Sequence, residues 1–232
     1  MPRPTLFLLG GLLCDESVWD DVGPRLADVA DVRPMAFAGF DAIPAMAAAV
    51  LDAAPATFAV AGHSLGGRVA LELVAHAPER IAKLALLSTG VHTRRDGEAE
   101  ARQVLVDLAF RDGMTALAAR WLPPMLAPGR TADAALMARL THMVAQQAPA
   151  SFAGQVRALL ARPDAERGLA AIACPTLLLC GRQDAWSPLA QHAHMAQRIA
   201  GSRLVAIEDC GHMSIVEQPA AVAAALREWL AG

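Results

Sequence analysis

Apolar residues along this chain fall into two alternating patterns. Short, nearly unbroken apolar runs at Thr5–Leu9, Thr57–Ala61, Ile81–Ser88, Cys174–Cys180 and Arg203–Ile207 predict strands buried on both faces. Asp31–Phe37 predicts a further strand, interrupted by Pro34. Between them, apolar positions recur every three or four residues, the helical period. Val18–Leu26 predicts one helix anchored by Trp19 and Val22, and Ala42–Ala54 an alanine-rich one stopped at Pro55. Val69, Leu73 and Ala77 mark a helix that Pro78 ends, and Pro188 opens another reaching about Ile199. The last helix carries Val222, Leu226, Trp229 and Leu230 on one face. Strands alternating with helices imply a parallel sheet covered on both sides, an α/β fold whose ligands bind at the carboxyl ends of its strands.

The rhythm breaks once. From Val91 to about Gly168 only helical patterning is found, as in Leu117-Ala118-Trp121-Leu122 and Leu136-Leu140-Val144, punctuated by Pro123, Pro124, Pro128, Pro149 and Pro163. This reads as one catalytic domain with a core of residues 1–90 and 169–232 and a helical cap inserted at 91–168. The cap's Met114, Met125, Met137 and Met143, with Trp121, are candidates either for an apolar pocket or for packing the cap onto the core.

Composition narrows the class. At 232 residues and 55% hydrophobic, the chain can bury a sizeable core, and no apolar stretch is long enough to span a membrane. Net charge is −3, and nineteen of the twenty basic residues are arginines without clusters, so nucleic acid and membrane are poor partners. Thr5–Leu13 before Cys14 has the outline of a secretion signal. Its charge is Arg3 alone, glycines interrupt it, and Leu13 is too bulky for the cleavage site, so a first core strand is expected instead. Cys14, Cys174, Cys180 and Cys210 are unevenly spaced and predict free thiols in a reducing, cytoplasmic setting. No Cys-x-x-Cys is present and His192 and His194 would face different sides of a helix, so no metal site is expected.

The chemistry centres on Gly62-His63-Ser64-Leu65-Gly66, set where a strand gives way to a helix. That context makes Gly-x-Ser-x-Gly a nucleophile elbow, in which a side chain at either glycine would clash. The plainer reading is a glycine-rich turn with Ser64 as helix cap. What decides is whether a base and an orienting acid follow. Serine needs a neighbouring base, and imidazole needs a buried carboxylate to fix its tautomer. Asp184 follows one late strand and His212 the next, giving the order nucleophile, acid, histidine. Glu208 and Asp209 are rivals for the acid, whereas Ser88-Thr89-Gly90 offers no carboxylate. Gly10-Gly11, straight after the first strand, is suited to a turn with exposed N–H groups. His63 reads as contacting its neighbours rather than substrate.

Three blocks carry a resemblance: Phe58–Gly67, Leu179-Cys180-Gly181-Arg182-Gln183-Asp184 through Pro188, and Cys210-Gly211-His212-Met213 through Pro219. They resemble the signature blocks of the α/β-hydrolase superfamily, in its serine esterase and 3-oxoadipate enol-lactonase-like branch. The resemblance spans nearly all of the chain outside the cap and implies an α/β-hydrolase fold. It implies Ser64 as nucleophile, Asp184 as acid and His212 as base, with the Leu12 and Leu65 N–H groups forming the oxyanion hole. It departs from the family at Gly10, where a histidine is usual. Leu13, Trp121, Met125, Trp186 and Met213 are the expected pocket residues. The implied activity is hydrolysis of small carboxylic esters or lactones, without cofactor. Carbon–carbon bond hydrolysis or perhydrolysis uses the same triad, and a non-catalytic binding protein of this fold is the other alternative. No arginine-rich pocket for a carboxylated substrate is recognisable in the sequence.

Overall fold

The computed structural model describes residues 3–232. Six strands form one parallel sheet in the order β2-β1-β3-β4-β5-β6: β1 Thr5–Leu9, β2 Asp31–Met35, β3 Phe58–His63, β4 Ile81–Leu87, β5 Thr176–Gly181 and β6 Arg203–Ile207. The chain leaves β1 in one direction, to β2, and returns on the other side as β3. Such a reversal leaves an open crevice above β1 and β3, where α/β sheets bind ligands. Leu9 pairs with Gly62 there, so the turns after both strands lie side by side.

Each strand's position follows from its composition. β1, β3 and β5 are almost wholly buried, as unbroken apolar runs require. β2 lies at the edge, where Pro34 has no inner ladder bond to lose, and it ends at Met35, short of the expected Phe37.

Helices α1 (Ile43–Ala53), α2 (Leu65–His76), α7 (Leu189–Arg198), α8 (Ser214–Glu217) and α9 (Pro219–Ala231) accompany the strands. The helix expected over Val18–Leu26 is instead two 3-10 turns, Glu16–Trp19 and Gly23–Leu26. Pro24 has no N–H to carry an α-helix through and Gly23 favours the coil, while the Asp15 carboxylate caps the first turn at the Ser17 N–H. Between β4 and β5 the chain is helical: α3 (Glu98–Asp112), α4 (Met114–Trp121), α5 (Ala134–Ala145) and α6 (Pro149–Leu160), with α3 packed on α4 and α6, and α4 on α5.

Candidate active site

Ser64 stands between β3 and α2 with φ 53° and ψ −110°, a strained conformation that only a closely packed surround can hold. A Cβ at Gly62 would overlap the Gly66 carbonyl, and one at Gly66 would overlap the Leu9 carbonyl. Both glycines of the motif are therefore steric requirements of this turn.

The expected partners converge on it. His212 Nε2 lies 2.9 Å from Ser64 Oγ, and its Nδ1 lies 3.1 and 3.0 Å from the two carboxylate oxygens of Asp184. Asp184 Oδ1 also accepts the N–H groups of Trp186 (2.9 Å) and Ser187 (2.8 Å). Burial alone would push this carboxyl up, but His212 and the two N–H groups outweigh it and hold the pKa at about 2. A fixed carboxylate facing Nδ1 selects the tautomer whose bare Nε2 can take the serine proton. Neither rival acid takes part. Glu208 is paired with Arg182 at the surface, and Asp209 turns outward on a left-handed residue, φ 50°.

The loop after β1 faces the same space. Leu12 and Leu65 both line the cavity beside Ser64, and Leu65 opens α2, so its N–H has no acceptor within the helix. A Cβ at Gly11 would come within 2.9 Å of His63 Nδ1, so a side chain there would crowd the elbow. Flanking bonds pin the loop: Gly10 N–H to Met35 O at 2.9 Å, Cys14 N–H to Gly11 O at 3.2 Å and Leu13 N–H to Gln155 Oε1 at 2.9 Å.

Gln155, which the sequence did not single out, and His63, which it read as contacting its neighbours, also hold the site. The fully buried Gln155 accepts from Leu13 and donates from Nε2 to Phe37 O at 2.8 Å, tying the glycine loop to α6 and to the exit of β2. His63 Nε2–H donates to the His212 carbonyl at 2.8 Å, and burial holds its pKa down at about 3, so it is a neutral brace. No sequence spacing could have paired residues that stand 118, 142 or 149 positions from their partners.

The cavity above Ser64 measures about 100 Å³. Trp121, Met125, Trp186 and Met213 line it, as does the half-buried His92. Leu13 does not; it is fully buried below the loop with φ 60°, its side chain in the core. Met114 and Met143 pack in the core, with Met137 at its edge. Arg68, Arg102 and Arg162 also reach the cavity wall, together with Glu98. They stand far apart in the chain, which hid them from the sequence. Among the described residues no group of three or more His, Cys, Asp or Glu is placed to hold a metal ion.

A parallel sheet with a strained serine between β3 and α2, faced by a histidine and an acid from later strand ends, defines the class of α/β hydrolases. The Alpha/beta hydrolase family model matches residues 8–225, and the chain belongs to that family. It is 31% identical over 239 residues to the pimeloyl-[acyl-carrier protein] methyl ester esterase of Aromatoleum aromaticum, covering 94% of this chain and 95% of that protein. It is 31% identical over 161 residues to 3-oxoadipate enol-lactonase 2 of Acinetobacter baylyi, covering 69% of this chain and 58% of that one. The solved structure of a thermophilic esterase from Thermogutta terrifontis superposes with a TM-score of 0.89 at 26% identity, over 99% of this chain and 90% of that chain.

Proposed function

We propose that this protein hydrolyses small carboxylic esters or lactones through an acyl-enzyme on Ser64. The observation that carries the reading is the 2.9 Å contact between Ser64 Oγ and His212 Nε2, backed by a buried Asp184 on Nδ1. The names of two relatives, a methyl ester esterase and an enol-lactonase, fall within the same chemistry.

In this mechanism Ser64 Oγ attacks the substrate carbonyl while His212 Nε2 takes its proton. The Leu12 and Leu65 N–H groups receive the developing oxyanion, and a preorganised donor of this kind is worth about 10²–10³ in rate. His212 then protonates the leaving alcohol, activates a water, and returns the serine when the acyl bond breaks. Asp184 orients the ring and stabilises its charged form. The four helices α3–α6 serve as a cap over the crevice, and Trp121 and Met125 from that segment meet Trp186 and Met213 from the core around the acyl group. Four free cysteines support a cytoplasmic setting.

The test is hydrolysis of p-nitrophenyl acetate, butyrate and octanoate by wild type and Ser64→Ala, with labelling by a fluorophosphonate probe. Wild type is expected to be labelled and to turn over the short esters, and Ser64→Ala to lose labelling and at least about 10³-fold in kcat. An unlabelled, inert wild type would overturn the reading in favour of a binding protein.

A further inference from the structure

Arg68 stands one helical turn after Ser64 on the same side of α2, about 6 Å along the axis. It is 8% exposed and lines the cavity above Ser64, yet among the described residues its side chain makes no hydrogen bond and its Nη1 is buried without a partner. A buried guanidinium left unpaired is costly, and proteins rarely keep one without an anion.

The surroundings do not supply that anion. Glu98, the acid on this wall, is already taken: Arg162 grips it with two bonds of 2.8 and 2.6 Å, and Arg102 with one of 2.9 Å. His92 brings no charge, because burial and the nearby Arg68 hold its pKa at about 4. Glu72, one turn further along α2, faces His76 instead. Arg68 borders a second cavity too, of about 550 Å³ and mostly apolar walls. Arg162, Glu98 and Arg102, which act on its guanidinium, line the catalytic cavity with it. Three guanidiniums on the wall thus share one carboxylate, and the one without a partner sits nearest in the chain to the nucleophile.

Resting on the reading of Ser64 as a nucleophile, we propose that Arg68 binds a carboxylate at the far end of the acyl group. The substrates are then half-esters of short dicarboxylic acids, not neutral esters. The planar guanidinium fork suits a carboxylate held by two parallel bonds. One helical turn between Ser64 and Arg68 leaves room for a few methylenes, in keeping with a cavity of about 100 Å³. With monomethyl glutarate, the bond from Ser64 Oγ to the ester carbonyl forms and the bond to methoxide breaks. Methanol leaves with the serine proton delivered by His212, and water then releases glutarate with both carboxylates free.

The experiment compares kcat/KM for monomethyl succinate, glutarate and adipate with methyl butanoate, pentanoate and hexanoate, in wild type, Arg68→Met, Arg68→Gln and Arg68→Lys. Wild type is expected to prefer at least one half-ester over its neutral counterpart by about tenfold or more. Arg68→Met and Arg68→Gln should each cut that ratio at least about tenfold, with Arg68→Lys in between because a point charge lacks the fork. A readout free of turnover accompanies it: millimolar glutarate should raise the Tm of wild type and not of either neutral variant, with butyrate as control. A ratio near one at every length, or a ratio or Tm shift that survives in a folded neutral variant, overturns the carboxylate site. If neutral esters are hydrolysed without that preference, the site alone fails. If no ester is hydrolysed and Ser64 is unlabelled, the hydrolase reading fails, while a glutarate shift confined to wild type still supports anion binding by Arg68.

Discussion

Gln155 shows how much one amide can determine. Its two ends satisfy the Leu13 N–H and the Phe37 carbonyl, both beyond the reach of water. Those bonds set the course of the loop bearing the proposed oxyanion donor, Leu12. Leucine at 155 has nearly the same size but cannot bond, so both backbone groups would lose their partner at about 1–3 kcal/mol each. Gln155→Leu is therefore expected to lower stability by about 2–4 kcal/mol in urea unfolding. Assayed well below its melting temperature, it should lose about tenfold or more in kcat with little change in KM, because the misplaced donor matters only once the oxyanion forms. A variant that loses stability but keeps kcat would make Gln155 a packing residue only. The sequence marked the glycines of this loop and was silent on Gln155, because the pairing spans 142 positions and depends on how α6 packs.

At the scale of elements, the loop carrying His212 is held from both sides. His212 N–H bonds to Met125 O at 2.7 Å, and buried Glu217, at the end of the single-turn α8, accepts Ala127 N–H at 2.8 Å and Gly211 N–H at 3.0 Å. One carboxylate thus clamps the histidine loop to the segment after α4, and burial keeps its pKa raised. Glu217→Ala leaves two buried N–H groups without acceptors and should cost about 2–5 kcal/mol, read as a lower urea midpoint with kcat falling as His212 loosens. Glu217→Gln, which keeps an acceptor oxygen, should lie between it and wild type. Where local chemistry decided an element, the sequence was enough: β1 and β6 end where their apolar runs end, and the elbow was legible because its three defining residues lie within five positions. The turns at Glu16–Trp19 and Gly23–Leu26 were misread because the helical spacing of Trp19, Val22 and Leu26 outweighed Gly23-Pro24 in the reading, though not in the fold. The three cavity arginines were illegible for a different reason. Residues 68, 102 and 162 meet only when α2, α3 and the chain after α6 close over the sheet, and no local pattern announces that.

The whole molecule carries buried titratable groups whose pKa values are shifted by folding, and this sets its response to acid. His63 is braced on the His212 carbonyl, and His192 accepts the Thr89 N–H at its Nε2, so protonating that nitrogen would break the bond. Burial holds their pKa values at about 3 and about 4, against about 6.5 for histidine in an unfolded chain. Between those limits the unfolded chain binds protons that the native protein refuses. The contribution of these two histidines is therefore full above about pH 6.5 and declines as pH falls toward the folded values, by up to about 1.4 kcal/mol per pH unit for each. Asp184 and Glu98 add a later loss. Both carboxyls are held near 2 despite burial, Asp184 by His212 and Glu98 chiefly by Arg162, so their contribution is intact above about pH 4.5 and disappears toward pH 2. Urea midpoints measured from pH 7.5 to 4.5 at constant salt should accordingly fall from just below neutrality, before any carboxylate titrates. His63→Gln can still donate to the His212 carbonyl, and it should flatten the slope by about one proton's worth, roughly 1.4 kcal/mol per pH unit. A flat wild-type profile between pH 7 and 5 would mean that both imidazoles accept protons in the folded state, against the burial of both and the bond that His192 accepts from Thr89.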